Sequence, residues 1–364
     1  MTELLVRVDD AARAEVHPEI DEELVCRRVV PITHDVTSFV LESPRGRHFG
    51  FRAGQYVTLA ATVHGHRIER CYTISSPSTR TELLTITVKR VVGGPMSNWL
   101  HDHLAPGDRM QVTGPLGEFT TLDHPAPKYL FLSAGSGITP LMSMTRTLQE
   151  QLAPKPDVVF VHSARSPEDI VFRSELEVIG AGKAGVRVAA ICETDSPHER
   201  WAGPRGRLTR PMLRAVAPDL HDREVFTCGP PPYMDAVRDI LERAGVDPAR
   251  CHEESFLLGR AADGKPTPPG PAASTTTAGF TVEFRRSRRV IECDADTSIL
   301  DAALGAGLTL PSSCGEGVCG TCKSSLLSGR VDMRPAGGIR AREIVQDKIL
   351  LCCSKPLENL VIDV

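Results

Sequence analysis

The sequence of 364 residues lacks several features that define large classes of protein. It has no long apolar run, so we expect no membrane-spanning segment and no membrane partner. Charge of one sign is not in excess, with 42 lysines and arginines against 46 aspartates and glutamates, so nothing indicates nucleic acid as a partner. Its first residues lack the pattern of a signal peptide. The length is sufficient for two or three domains.

A regular disulfide framework is also absent. The eleven cysteines are odd in number, and seven of them are scattered without a repeated spacing. Such usage is typical of a reducing compartment, so we expect the protein to be cytoplasmic.

The other four cysteines form one motif. Its spacing is C-x4-C-x2-C, followed by a distant fourth cysteine, and the members are Cys314, Cys319, Cys322 and Cys352. This is the plant-type spacing for a [2Fe–2S] cluster. Glycines within the motif would let the loop wrap closely and point its backbone N–H groups at the sulfurs. A four-cysteine zinc site is the alternative, although such sites usually combine two short C-x2–4-C pairs.

The region from Val25 to about residue 124 contains short β-rich segments that alternate with Gly, Pro and Asp. This pattern predicts a small antiparallel β-barrel. The preceding residues 1–24 are polar and acidic and show no clear period, so we assign them no function.

The predicted barrel contains Arg70-Cys71-Tyr72-Thr73. Here the chain resembles the ferredoxin–NADP reductase superfamily, whose R-x-Y-[ST] motif binds a flavin. The resemblance implies that Arg70 faces the flavin phosphate, where a fixed planar cation is suited. It also implies that the Tyr72 ring contacts the isoalloxazine and that the Thr73 hydroxyl hydrogen-bonds near N5, the atom that accepts hydride. An ordinary strand with alternating faces is the alternative interpretation of these residues alone.

A glycine turn further along the chain, Gly93-Gly94-Pro95, leads into a predicted helix. The free N–H groups of a helix N-terminus suit a dinucleotide pyrophosphate. This favours FAD over FMN, because relatives that use FMN commonly lack the pattern. The resemblance adds to the predicted flavin contacts Ile74, Ser75, Val88, Lys89, Gly94, Met96 and Ser97.

From residue 125 to residue 256, short apolar segments alternate with helical ones, which predicts an open parallel sheet. Such sheets bind ligands at the carboxyl ends of their strands. The first strand is followed by a glycine turn that departs from the usual G-x-G-x-x-G, because Pro140 takes the last position and can begin a helix. The predicted contacts in this turn are Gly135, Ser136, Gly137 and Thr139.

A second motif further along this region resembles the family's nicotinamide loop. It consists of Cys228-Gly229-Pro230 with Met234. The resemblance places Cys228 against the nicotinamide ring and not as a nucleophile, while a buried small apolar residue is the alternative.

The second strand of this region ends in Ser163-Ala164-Arg165, where an NAD site would usually carry an acidic residue. Ser163 and Arg165 could hold a 2′-phosphate, which favours NADPH, although Arg165 could equally be a solvated charge. The predicted cofactor is therefore NADH or NADPH, abbreviated NAD(P)H.

Residues 257–278 are rich in Pro, Gly, Ala and Thr, which predicts a flexible linker. Beyond it, a hairpin, a short helix and the cysteine loop follow the order of the β-grasp in plant-type ferredoxins. Cys353 could in principle be the fourth ligand, but Cys352, followed four residues later by Pro356, aligns with the family's ending.

The sequence therefore predicts a multidomain protein with an N-terminal extension (1–24), an FAD-binding antiparallel β-barrel (25–124), an α/β parallel-sheet NAD(P) domain (125–256), the linker (257–278), and an α+β β-grasp ferredoxin domain (279–364). The resemblance implies an oxidoreductase that takes hydride from NAD(P)H onto FAD and passes single electrons through the [2Fe–2S] cluster to another protein. It is strongest toward reductases of Rieske demethylases of glycine betaine or stachydrine, which implies a Rieske-type oxygenase partner. The alternatives are a reductase for an acceptor such as hybrid cluster protein, and a non-catalytic redox sensor.

Overall fold

A computed structural model describes residues 16–17, 19–151, 155–182, 185–255, 279–308, 310, 315, 317, 320, 322–335 and 338–364. The predicted linker (257–278) and two predicted cluster ligands, Cys314 and Cys319, lie outside the described residues. No helix in the described part of the chain is both long and apolar enough to cross a membrane.

The first domain is a curled antiparallel sheet around an apolar interior. Its elements are β1 (Val16–His17), β2 (Ile20–Pro31), β3 (Val36–Glu42), β4 (His48–Phe49), β5 (Tyr56–Val63), β6 (His66–Thr73), β7 (Leu83–Lys89), α1 (Pro95–His103) and β8 (Arg109–Leu116). Six strands pair in the order β6-β5-β8-β2-β3-β7. A bridge between Ile74 and Ile86 joins the two edges of this sheet. The predicted antiparallel barrel is confirmed, and strand β2 begins at Ile20, five residues before the predicted start.

The second domain is a parallel sheet with helices. Its elements are β9 (Lys128–Ala134), α2 (Ile138–Glu150), β10 (Asp157–Ala164), α3 (Arg173–Ala181), β11 (Val186–Cys192), α4 (Arg210–Val216), β12 (Glu224–Gly229), α5 (Pro231–Ala244) and β13 (Cys251–Ser255). The order β11-β10-β9-β12-β13, with every pair parallel, confirms the predicted α/β domain. The strand order reverses between β9 and β12, so a ligand crevice is expected outside their carboxyl ends.

The opposite end of this sheet is fixed by a buried arginine. The side chain of Arg223 has no exposed surface, and its guanidinium forms ion pairs with Asp157 at 2.9 Å and Asp219 at 2.8 Å. It also donates to the carbonyl oxygen of Tyr129 at 3.0 Å. These partners satisfy a charge whose burial alone would be costly, and they tie together the amino ends of three strands.

The third domain combines a mixed sheet with two short helices. Its elements are β14 (Gly279–Phe284), β15 (Arg289–Asp294), α6 (Ile299–Gly305), β16 (Lys323–Ser328), β17 (Val331–Met333), α7 (Ala341–Val345), β18 (Lys348–Leu350), β19 (Ser354–Pro356) and β20 (Leu360–Asp363). The main sheet has the order β15-β14-β20-β16-β18. Residues of α6, including Ile299 and Ala303, pack with strand residues in one apolar core. The predicted α+β ferredoxin domain is confirmed.

Candidate functional site: two cofactor crevices and a cysteine loop

The predicted flavin motif forms the end of strand β6. Tyr72 is half-buried, and desolvation raises the pKa of its hydroxyl, so the hydroxyl keeps its proton and the side chain is uncharged. Thr73 is buried, and its hydroxyl has no hydrogen-bond partner among the described residues. An unpaired buried hydroxyl is costly. A bound flavin that accepts or donates a hydrogen bond at this position would remove that cost, so the motif fits the group.

Several other predicted flavin contacts have side chains that are engaged within the barrel. The Ser75 hydroxyl lies 2.8 Å from that of Thr87, and Lys89 forms an ion pair with Asp35 at 2.9 Å. The side chains of Ile74, Val88 and Met96 are buried in the barrel core. Arg70 remains partly exposed, with one guanidinium N–H donating to the carbonyl oxygen of Glu69.

The turn before α1 requires glycine at its last position. A Cβ atom at Gly94 would lie 2.6 Å from the Ser97 hydroxyl oxygen and 3.0 Å from the Cβ of Val91. The Ser97 hydroxyl accepts a hydrogen bond from the backbone N–H of Val91, which closes the turn. The first turn of α1 then supplies N–H groups that lack intrahelical partners, as the predicted pyrophosphate contact requires.

The nucleotide crevice is built where the ends of β9 and β12 meet. A Cβ atom at Gly137 would lie 2.4 Å from the carbonyl oxygen of Cys228 and 2.6 Å from the amide nitrogen of Gly229. Gly135 has φ +53°, in the left-handed region that favours glycine. The Thr139 hydroxyl donates to the carbonyl oxygen of Ser136, which holds the turn at the start of α2. The two predicted nucleotide motifs are therefore in backbone contact.

Cys228 is a buried thiol and not an activated nucleophile. Burial holds the pKa of Cys228 well above its usual value, with a further contribution from Glu254, so the thiol keeps its proton. Glu254 lies beside it in the register of β12 and β13. Burial raises the pKa of Glu254 to about 8, and one of its carboxyl oxygens lacks a hydrogen-bond partner among the described residues. Glu254 belongs to no sequence motif, because its segment has the pattern of an ordinary last strand.

Two hydroxyls are unsatisfied near this crevice, that of Ser163 near the end of β10 and that of Tyr233 in the first turn of α5. Both are buried, and neither makes a hydrogen bond of normal geometry within the described part of the chain. A Cβ atom at Gly229 would lie 2.6 Å from the Tyr233 ring, which places the Gly229-Pro230 turn against that ring. Met234 is buried behind it, whereas Arg165 is exposed. Buried hydroxyls at a crevice fit a polar ligand such as a nucleotide ribose or phosphate.

The flavin motif and the nucleotide domain are held together by helix α2. The Ser143 hydroxyl donates to the carbonyl oxygen of Ser76 at 2.7 Å, and Arg146 donates to the carbonyl oxygen of Ser75. Strand β7 also lies beside the Gly135–Gly137 turn. The two predicted binding regions therefore adjoin one another, and hydride transfer between two rings needs such proximity. Arg146 has no sequence motif, because its role depends on the contact between domains.

The cysteine loop is partly described. The Sγ atoms of Cys322 and Cys352 lie 3.3 Å apart, and the backbone N–H of Gly317 points at the Cys352 sulfur at 3.2 Å. Two buried sulfurs at this separation, with an N–H directed at one of them, fit a thiolate-held cluster. Cys353 also lies beside this loop: its Sγ is 3.7 Å from the carbonyl oxygen of Leu350, and its interaction with Cys352 lowers the pKa of its thiol.

The glycines of this loop have the left-handed backbone conformation that a closely wrapped loop needs. Gly315, Gly317 and Gly320 have φ angles of +75°, +74° and +72°. A Cβ atom at Gly317 would lie 2.7 Å from the Cys353 sulfur, and one at Gly320 would lie 2.7 Å from the carbonyl oxygen of Gly338. The backbone conformation therefore favours glycine at all three positions, and the lack of space requires it at Gly317 and Gly320.

Glu254 leads to a prediction about pH. Its pKa is about 8 in the folded protein against an ordinary value of 4.5. Between these values the unfolded chain loses a proton that the folded chain keeps, so the free energy of unfolding falls as pH rises from about 4.5 to 8. We expect the decline in the free energy of unfolding to be smaller in Glu254→Gln. At pH 9 this variant should be more stable than the wild type by a few kcal/mol, because each unit of pKa difference corresponds to about 1.4 kcal/mol.

Urea denaturation at pH 5, 7 and 9 measures this effect. The matched control is Glu253→Gln, at the neighbouring residue, which forms an ion pair with Arg238 at 2.7 Å and is not fully buried. The control should keep the wild-type decline. Equal pH dependence of the wild type and Glu254→Gln would contradict the prediction.

Known proteins match nearly the whole length of the chain. Three family models match: "Oxidoreductase FAD-binding domain" over residues 24–121, "Oxidoreductase NAD-binding domain" over 131–239, and "2Fe-2S iron-sulfur cluster binding domain" over 282–357. The glycine betaine monooxygenase reductase subunit of Pseudomonas aeruginosa is 41% identical over 348 residues, which is 93% of this chain and 94% of that protein. The stachydrine N-demethylase reductase subunit of Rhizobium meliloti is 40% identical over 94% of this chain and 96% of that protein.

A solved structure shows the same arrangement of domains. This structure, phthalate dioxygenase reductase, is described as a modular structure for electron transfer from pyridine nucleotides to [2Fe–2S]. The matched region covers 94% of this chain and 98% of that chain, with a TM-score of 0.57 and 29% identity. The predicted cofactors FAD, NAD(P)H and [2Fe–2S] are thereby confirmed at the level of the domains that bind them. The chain belongs to the ferredoxin–NADP reductase superfamily, in the family of NAD(P)H-dependent oxidoreductases that carry a C-terminal [2Fe–2S] domain.

Proposed function

We propose that this protein is the reductase component of a Rieske-type oxygenase that demethylates a small quaternary amine. The observation that carries the proposal is the identity of about two residues in five, over nearly the whole length, to the reductase subunits for glycine betaine and stachydrine. The direction of transfer is favourable, because plant-type clusters have potentials near about −400 mV and Rieske centres lie at about −150 to +300 mV.

The cofactors supply the redox chemistry. When bound, FAD exchanges a pair of electrons as hydride and gives them up singly, and a [2Fe–2S] cluster carries one electron at a time. The chain's own residues bind and orient them. Thr73 would offer its unpaired hydroxyl to a bound flavin, and Gly137 would let the nucleotide approach the end of β12. Cys228 would supply a neutral, apolar surface for the nicotinamide, because its thiol stays protonated.

The remaining predicted residues complete three binding sets. In the flavin set, Arg70 and the first turn of α1 would contact phosphate, and Tyr72 would contact the ring. In the nucleotide set, Ser163 and Arg165 would contact the ribose or a 2′-phosphate. In the cluster set, the four thiolates would come from Cys314, Cys319, Cys322 and Cys352, within a domain of residues 279–364.

Reconstitution with purified acceptors tests the proposal. The holoprotein is mixed with NADH or NADPH and either a Rieske demethylase for glycine betaine or hybrid cluster protein, and nucleotide oxidation is followed together with substrate loss. We expect coupled demethylation with the Rieske oxygenase and slow transfer to the other acceptor. Efficient transfer to hybrid cluster protein with none to any Rieske oxygenase would overturn the proposal.

A further inference from the structure

The ferredoxin domain contacts the flavin barrel through two arginines at the start of α7, Arg340 at the N-cap and Arg342 in the first turn. One guanidinium nitrogen of Arg340 donates to the carbonyl oxygen of Gly114 at 2.9 Å, and another lies 3.7 Å from a carboxylate oxygen of Glu19. Arg342 also forms an ion pair with Glu19. The Arg340 side chain is only 19% exposed, whereas its partner Glu19 is 41% exposed at the edge of the contact. A planar guanidinium is suited to bridge a carbonyl and a carboxylate in this way.

Arg340 is tied to the cysteine loop within its own domain. Two residues before it, Gly338 donates its backbone N–H to the carbonyl oxygen of Gly317 at 2.9 Å. The backbone N–H of Arg340 itself donates to Glu343 at 2.9 Å, and Glu343 accepts from Lys323, next to Cys322, at 2.8 Å. A shift of Arg340 would therefore be passed to the loop that carries the predicted ligands.

The barrel side of the contact lies close to the flavin motif. Glu19 precedes Ile20, which pairs with Gly114 between β2 and β8, so the two acceptors are neighbours. Strand β5 separates β8 from β6, and Tyr56 of β5 pairs with Thr73. A Cβ atom at Gly114 would lie 3.2 Å from the carbonyl oxygen of Tyr56. At about 4.8 Å between strands, the contact is about 10 Å across the sheet from Thr73.

We propose that Arg340 and Arg342 are positioning residues that dock the ferredoxin domain on the barrel for electron transfer from flavin to cluster. This inference rests on the proposed function above. In the step that they support, one electron leaves the reduced flavin and one ferric iron of the cluster becomes ferrous, with no bond made or broken at the contact. Because both domains belong to one chain, a modest polar contact is enough to populate the docked state.

Rapid-mixing measurements on the anaerobic holoprotein test the proposal. After addition of NAD(P)H, we expect Arg340→Ala to reduce its flavin at the wild-type rate and its cluster about tenfold more slowly, as loss of a buried charged hydrogen bond predicts. The rate of cluster reduction in Arg340→Lys should lie between that of the wild type and that of Arg340→Ala. Small-angle X-ray scattering, which does not depend on activity, should show a larger radius of gyration for Arg340→Ala/Arg342→Ala.

Two further variants exclude simpler explanations. Arg334→Ala removes the same charge from an 85% exposed side chain that pairs with Asp332 in its own domain, and it should behave as the wild type. Glu19 lies on the barrel, so the variant Glu19→Arg cannot act through folding of the cysteine loop. This variant should also slow reduction of the cluster.

The possible outcomes separate this inference from the function on which it rests. Wild-type rates of cluster reduction in Arg340→Ala and Glu19→Arg, or wild-type scattering in Arg340→Ala/Arg342→Ala, would overturn the docking role. A loss of cluster absorbance in Arg340→Ala that accounts for the lower rate, with Glu19→Arg unaffected, would also overturn it. If the wild type itself failed to reduce its cluster with NAD(P)H, the proposed function would fail first.

Discussion

Replacing Cys352 with serine should remove the visible absorption of the [2Fe–2S] cluster and abolish electron delivery to an acceptor protein. The physical reason is that such clusters are held by thiolates. The Cys352 sulfur lies 3.3 Å from that of Cys322 and is the one at which the Gly317 N–H is directed. Reduction of the flavin should continue, because neither cofactor crevice includes this loop. Iron content, visible spectra and rapid-mixing kinetics of the purified variant measure these effects.

Cys353→Ser is the matched control for this prediction. The two cysteines are neighbours in sequence, but the Cys353 sulfur is 3.7 Å from a backbone carbonyl oxygen of its own turn. The control should retain iron and absorbance. A Cys352→Ser protein with a full cluster, together with a Cys353→Ser protein without one, would show that the fourth ligand is Cys353.

Gly137→Ala should lower the second-order rate constant for flavin reduction by NAD(P)H by about 100-fold, a loss typical of a 1 Å misplacement at a reacting centre. The new methyl group would lie 2.4 Å and 2.5 Å from the carbonyl oxygen and carbon of Cys228. These are backbone atoms, so the ends of β9 and β12 would have to separate. Overpacking of this kind also costs about 1 to 3 kcal/mol of stability. Steady-state kinetics with ferricyanide as acceptor measure the rate.

Gly135→Ala controls for loss of glycine in the same turn. Gly135 has φ +53° but nothing within 4 Å of its Cβ position, so alanine meets backbone strain and no clash. The strain is roughly 1 to 2 kcal/mol. We expect a moderate effect, well below that of Gly137→Ala. Equal losses in the two variants would show that close contact with Cys228 is not the cause.

Local signals in the sequence predicted the fold well. The change from β-rich segments to alternating strands and helices predicted the first two domains, because strand and helix periods are properties of short segments. Features that depend on tertiary pairing were misplaced. Strand β2 starts at Ile20 because Ile20 pairs with Gly114, 94 positions along the chain. Helix α3 starts at Arg173, directly after Phe172, whose backbone is left-handed with φ +59°.

The residues of the candidate sites also divide into those with a local sequence motif and those whose role depends on tertiary contacts. Cys322, Thr73 and Gly137 lie in short motifs whose spacing carries the chemistry, so the sequence predicted them. Glu254 and Arg340 carry no motif. The importance of Glu254 comes from its burial beside Cys228, and that of Arg340 comes from the packing of one domain on another. A single sequence contains no local pattern for either effect.

The central claim is that reducing equivalents from NAD(P)H pass through the flavin to the cluster within one chain. Anaerobic addition of NAD(P)H to the holoprotein, followed by electron paramagnetic resonance at low temperature, tests it most directly. In the wild type, the flavin absorption should bleach and the signal of a reduced [2Fe–2S] cluster should then appear, whereas Cys352→Ser should show the bleaching without the signal. A bleached flavin beside a fully loaded wild-type cluster that stays oxidised would contradict it.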